Sequence, residues 1–177
     1  MSALEISQAI QSTRLMTAMR ESMLAYPIIL STHLASIGVF GGMILLTDLR
    51  MLGVALKSVP IADVIRGTRI WKRIGFVVMI SCGIMLGGAK LSIYYDNPYF
   101  QLKMTLLALT GVHAIVFHRS VYAHPERLDQ MSKIPGVAKA AACVSMILWV
   151  SILSAGRWIA YYERPDPNVI IVTAPTP

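Results

Sequence analysis

The chain has 177 residues, 55% of them hydrophobic and only 14% charged, and a mean hydropathy of +0.61. Soluble domains carry about 25% charged residues, so this composition excludes an ordinary water-soluble globule and indicates an integral membrane protein. The net charge is +7, but the basic residues fall between apolar runs rather than in one tract lined with a series of aromatics of the kind that stack bases. That pattern is one of membrane topology, and no nucleic-acid partner is expected.

Residues 1–24, "MSALEISQAIQSTRLMTAMRESML", carry Glu5, Arg14, Arg20 and Glu21 spread along their length, which is not the pattern of a secretory signal peptide. Leu4, Ile6, Ala9, Ile10, Leu15 and Met16 predict an amphipathic helix lying in the membrane interface; a flexible tail is the alternative. Pro27 is expected to mark the turn into the first spanning helix.

Four apolar segments within residues 25–163 are long enough to cross a bilayer, which takes about 20 helical residues. They run from Tyr26 to about Thr47, about Trp71 to Tyr95, about Phe100 to Tyr122, and about Val137 to Tyr162. Tyr26, Trp71, Tyr94, Tyr95, Tyr99, Tyr122, Trp158, Tyr161 and Tyr162 collect at their ends, where amphipathic rings favour the interface. Between the first two spans, "SVPIADVIRGTRIWKR" predicts a short amphipathic surface helix. "HPERLDQMSKIPG", between the last two, reads as a loop or short surface helix. Residues 164–177, "RPDPNVIIVTAPTP", should be an extended tail whose "NVIIV" suits pairing with a partner.

The two longer connections hold ten basic residues against six on the opposite side. The positive-inside rule then places those connections in the cytoplasm and both termini in the periplasm or exterior.

Ionisable groups within spans are functional candidates. Here they are His33, Lys90, Lys103, His113, His118 and Arg157. His33, Lys103 and Arg157 all fall toward the exterior ends and predict an anionic site, in which the two cations hold a propionate or a quinone oxygen. His113 and His118 fall in the cytoplasmic half of the third span, deeper than His33 by about 12 Å or more. Two axial imidazoles of one haem need nearly equal depth on facing helices, so a bis-histidine haem within one chain is disfavoured. A single axial ligand, His33 or His113, passes the depth test with Met104 or Met146 opposite. The competing role for His33 is a hydrogen bond to a serine, threonine or backbone carbonyl of a neighbouring helix. For His118 the competing role is a structural ion pair with Asp48.

Small residues form stripes: Ala35, Gly38 and Gly42 on the first span, Gly83, Gly87 and Gly88 on the second, Gly111 and Ala114 on the third. They let helices approach closely, and no strand precedes them as a nucleotide fingerprint requires. Cys82 and Cys143 lie inside apolar stretches and form neither a metal motif nor a disulfide framework. Metalloprotease, nucleophile-elbow and paired-carboxylate motifs are missing, so no catalytic role is expected.

"HLASIGVFGGMILLTDLRMLG", "YYDNPYFQLKMTLLALTGVHAIVFHRSVY" and "SMILWVSILSAGRWIAYYE" together resemble an uncharacterised family of bacterial four-helix inner-membrane proteins. The likeness covers roughly residues 26 to 163 and rests on His33, Asp48, Arg50, Gly53, Asn97, Pro98, Phe100, Lys103, Phe117, His118, Trp149, Gly156 and Arg157. His113 stands where that family more often has an asparagine, which argues against a family-wide ligand role. The resemblance implies topology and assigns no activity.

The expectation is an all-α integral membrane four-helix bundle with an N-terminal interfacial amphipathic helix, in a bacterial inner membrane. The favoured function is a non-catalytic subunit that packs against helices of other membrane subunits or of a second copy. The alternative is a small electron-transfer protein binding haem b or quinone.

Overall fold

The computed structural model describes residues 3–117, 124–131 and 133–162, and these are all helix or connection. Two short helices, α1 (Ala3–Gln11) and α2 (Arg14–Glu21), precede the long helices α3 (Ala25–Leu52), α4 (Ile61–Ala89), α6 (Pro98–Phe117) and α8 (Gly136–Trp158). The short helices α5 (Leu91–Tyr94) and α7 (Pro125–Asp129) lie in the connections, and a 3-10 turn, Ile159–Tyr161, follows α8. Each long helix is long and apolar enough to cross a membrane. The chain is thus a multi-pass membrane protein with four candidate spans set in a lipid bilayer.

The N-terminal segment folds as two helices. Between them Ser12 and Thr13 turn their hydroxyls back onto the carbonyls of Ala9 and Ile10, 3.0 and 2.9 Å away, and Thr13 adopts an extended backbone. Such back-bonding competes with a continuing helix ladder. Leu4, Ile6 and Ile10 of α1 are exposed, while Met19 of α2 is buried. The turn into α3 comes a few residues earlier than Pro27, which sits inside the first helical turn. A proline is tolerated there because that N–H has no intrahelical partner. α3 ends at Gly53, whose left-handed φ of 73° lets Val54 N–H donate to Leu49 O at 3.0 Å. Only glycine adopts this cap without a Cβ penalty.

The surface helix expected over residues 58–73 is not a separate element; it is the first part of α4. Nothing in it breaks a helix, and its buried Ile61, Val64, Ile65 and Thr68 lead into the buried Gly75, Met79 and Leu86. The same helix ends at Ala89, short of the expected Tyr95, because the backbone turns out of helical geometry at Lys90 (φ −129°) before α5 begins.

α3 packs between α4 and α8, and α6 packs chiefly on α8, so the long helices run α4, α3, α8, α6 across the molecule. At mid-depth Phe40 lies between Phe76 and Trp149, with ring centroids 5.5 and 5.3 Å away. Gly75 makes the closest helix approach: a Cβ there would stand 3.0 Å from Phe40 Cβ and 3.1 Å from Phe40 N. α6 contributes no buried residue. α2 packs on α4, where Met16 Sδ occupies the space over Gly88. α1 reaches α5 through Gln11, whose side-chain oxygen accepts from Ser92 N at 3.0 Å.

The apolar core gathers at the opposite end. Met51, Ile61, Ile65, Leu128, Ala138 and Ala142 form one buried cluster, flanked by Leu52, Phe117 and Ile134. Here α7 docks on α4, and the Asp129 carboxylate accepts from Ile61 N at 2.7 Å and from Ala62 N at 2.9 Å. Those amides are orphan donors of the first turn of α4, so a residue 68 positions away caps the helix.

Candidate functional site

The half-buried His33 extends from α3 toward α4, and its Nδ1 lies 2.9 Å from Met79 O. A carbonyl oxygen only accepts, so Nδ1 carries a proton, and in the neutral imidazole Nε2 keeps a lone pair. Gly83, one turn on, makes room for the ring; a Cβ there would come 3.2 Å from His33 Cε1. Lys103 of α6 lies close enough to act on this imidazole electrostatically. Its stem and ammonium cross the bare face of Gly156 on α8, with Nζ 3.7 Å from where a Cβ would be. His33, Gly83, Lys103 and Gly156 therefore share one level of the bundle.

Asn97 secures that level from outside. It is only 3% exposed, and its Oδ1 accepts from Tyr99 N (2.9 Å) and Phe100 N (3.2 Å) while its Nδ2 donates to Ile159 O at 3.2 Å. One amide thus caps α6, with Pro98 at the first helical position, and ties it to the end of α8. Tyr99 stacks on Trp158 at 5.9 Å, Tyr94 stacks on Phe100 at 5.4 Å, and Lys90 lies 4.8 Å over the Tyr26 ring. Burial, the neighbouring Tyr26 charge and a hydrogen bond to Tyr26 push the Tyr94 phenol up to about 12.

Arg157 does not join this group. It is exposed, lies 4.9 Å over the Tyr161 ring and donates to the Tyr161 hydroxyl, one turn along its own chain. Of the three residues expected to form an exterior site, His33 and Lys103 lie at one level of the bundle and Arg157 turns onto its own chain. His113 is ten residues from Lys103 on α6, about 15 Å along the axis, and its Nε2 donates to Ala141 O at 3.0 Å. Of the methionines expected opposite the histidines, Met104 is 42% exposed on the outer side of α6, and Met146 lies five residues past Ala141 on α8, about 7 Å along the axis.

Asp48 is 1% exposed at the far end of α3, where its charge acts on Lys72 of α4. Lys72 Nζ donates to Thr47 Oγ1 at 2.7 Å, and Arg50 Nε donates to Val59 O at 2.6 Å. His118, the partner expected for Asp48, and the "NVIIV" tail lie outside the described residues. On α7, Glu126 pairs with Arg66 at 2.7 Å; its own backbone and the guanidinium hold its carboxyl below the usual range.

Nothing in the sequence pattern singles out Lys72 or Asp129, and Asn97 enters there only through the family resemblance. Asn97 had a local signal, since Asn followed by Pro reads as a cap and first helical residue. Asp129 had none, because its partners come from a distant helix. No group of three or more metal-ligating side chains occurs among the described residues.

Chemically, this arrangement spends polar groups on backbone carbonyls and helix ends, which fixes how the helices sit against one another in a medium without water. No curated protein and no solved structure matches the chain. The matched model covers residues 24–162, which hold the four spans, the His33–Lys103 level and the Asp129 cap, and the chain belongs to that family, DUF6644, a family of unknown function.

Proposed function

We propose that the protein is a non-catalytic membrane subunit that packs against transmembrane helices of other subunits or of a second copy. The observation that carries this reading is an open small-residue seam. Gly38 and Gly42 form a GxxxG pair on α3, and a Cβ at either would meet nothing within 4 Å. Ala35 and Gly38 are exposed on the same stripe. Seams of this kind admit a second helix at close range, where packing and not water expulsion drives association. That seam leaves room for a second helix, and α6, with no buried residue, offers further apolar surface. The basic α3–α4 and α6–α8 connections support a cytoplasmic location for that end in a bacterial inner membrane, with both termini outside.

The test is blue-native electrophoresis of mildly solubilised membranes, comparing the wild-type chain with Gly38→Leu/Gly42→Leu. The wild type should migrate in a discrete larger complex and the variant at the size of the free chain, with the α-helical circular dichroism spectrum unchanged. A complex that survives both leucines overturns the reading.

One observation favours a second reading, electron transfer through haem b or quinone. His33 donates its Nδ1–H to the Met79 carbonyl, and in the neutral ring Nε2 keeps its lone pair, the orientation in which a histidine ligates iron or accepts a quinol hydrogen bond. No described imidazole shares its level, so a haem would take His33 alone from this chain. An oxidised-minus-reduced absorption spectrum of the purified protein decides: an α band lost in His33→Ala supports this reading, and a featureless spectrum from haem-replete cells removes haem.

A further inference from the structure

We infer that α4 carries a binding site for one anionic glycerophospholipid, its phosphate held between Arg69 and Arg73 and an acyl chain laid along Val77, Ile80 and Ile84.

Three of the four described acids at this end of the molecule are committed elsewhere. Glu126 pairs with Arg66, Asp129 accepts from the first amides of α4, and Asp48 lies buried beside Lys72. Asp63 is exposed in the first turn of α4, six residues before Arg69 and so on another side of the helix. Arg69 and Arg73 remain, both exposed, with no ion pair among the described residues. They stand four apart on one helix face, with about 5–6 Å between their Cβ atoms, a spacing at which two like charges repel unless an anion lies between them. Guanidinium is the cation whose planar donors best match phosphate oxygens.

The same face changes character just below them. Val77 is 62% exposed, Ile80 38% and Ile84 66%, so a basic segment gives way to an apolar one along a single outward stripe. From Arg73 to Ile84 is eleven residues, about 16 Å of helix, against about 15 Å for half of a 30 Å hydrocarbon core. Headgroup cations and an acyl-length apolar stripe are therefore in register with one leaflet. This commits the occupant to a lipid, because a free phosphate has no use for the apolar stripe. The inference stands apart from the subunit reading, since it uses α4 and not the α3 seam.

The experiment is native mass spectrometry of the full chain in dodecyl maltoside, titrated with dioleoylphosphatidylglycerol or dioleoylphosphatidylcholine. The wild type should prefer the anionic lipid by about 30-fold, the factor expected from two interfacial cations. Arg69→Gln/Arg73→Gln should bring the two affinities together, Arg69→Lys/Arg73→Lys should keep most of the preference, and Arg20→Gln should match the wild type. Equal affinities in the wild type, or a preference intact in the glutamine variant, would overturn the site. So would loss of the preference to millimolar inorganic phosphate, which would make it a soluble-anion site. The wild-type comparison needs no variant to fold.

Discussion

The two ends of the helix bundle are held by different physics. Where α4 begins, Met51, Ile61, Ile65, Leu128, Ala138 and Ala142 exclude water as the core of a small soluble domain does. At the His33 level and through mid-depth, the helices meet over glycines, with Gly75 against Phe40, Gly83 under His33 and Gly156 under Lys103. Lipid tails are as apolar as the side chains they touch, so burial gives little there, and close approach with hydrogen bonds must replace it. The outer stripe of α4 changes from arginine to aliphatic side chains after Arg73. By that mark its first three turns project beyond the hydrocarbon, where water is available to drive a core. The physics changes where the solvent does.

The sharpest way to break the close-approach half is Gly75→Ala. A Cβ would fall 3.0 Å from Phe40 Cβ, and within 3.1–3.2 Å of its backbone N and Cα, which cannot swing aside as a side-chain tip can. α3 and α4 must separate, and with them the Phe40–Phe76–Trp149 contacts. Overpacking of this kind costs roughly 1–3 kcal/mol, and backbone involvement puts the expected loss at the upper end. A reversible unfolding titration in mixed micelles would measure it. A variant as stable as the wild type would mean that the helices are not held this closely.

The ends are compared directly by removing one cap from each. Asp129→Ala deprives Ile61 N and Ala62 N of their acceptor, and Asn97→Ala does the same to Tyr99 N and Phe100 N. Each loss should cost about 1–2 kcal/mol. The location of the damage distinguishes them. In Asp129→Ala, amide exchange should accelerate at Ile61 and Ala62 and leave α6 alone. In Asn97→Ala it should accelerate at the start of α6 and also loosen Ile159, because the Nδ2 donor to its carbonyl is lost as well. Asn97→Asp keeps the acceptor and removes only that donor, so it should protect α6 and still free Ile159.

These two caps also show what a sequence can disclose. The four spans follow from hydropathy because solvent alone dictates them, and the Asn97–Pro98 cap is local. The continuity of α4 was hidden by Arg66, Arg69 and Arg73, which lower hydropathy without interrupting helical geometry. His33 stands out in sequence as an ionisable residue within a span, but its acceptor is the carbonyl of Met79, 46 residues away and common to every residue type. Arg157 looked like a member of the same group because depth along a helix is visible in sequence and the direction of a long side chain is not. The break at Ser12–Thr13 depends on hydroxyl back-bonds that compete evenly with a helix until packing on α4 and α5 decides.

The smallest effect expected belongs to Arg66 and Glu126, both more than half exposed on the water-facing side of α7 and α4. Their 2.7 Å contact is a surface salt bridge, and exposed pairs contribute little. Because the folded-state carboxyl of Glu126 is held below its ordinary value, what it contributes is present above about pH 4.3, the unfolded value, and is lost as pH falls through the folded one. Glu126→Gln should therefore match the wild type in 0.5 M salt at any pH. At low salt it should fall slightly behind near neutrality and converge again in acid. If instead it fell as far behind as Asp129→Ala, α7 would be anchored by its surface charge, and the water-driven core beneath it would be secondary. The fully buried Met51 and the 8% exposure of Leu128 argue for the core.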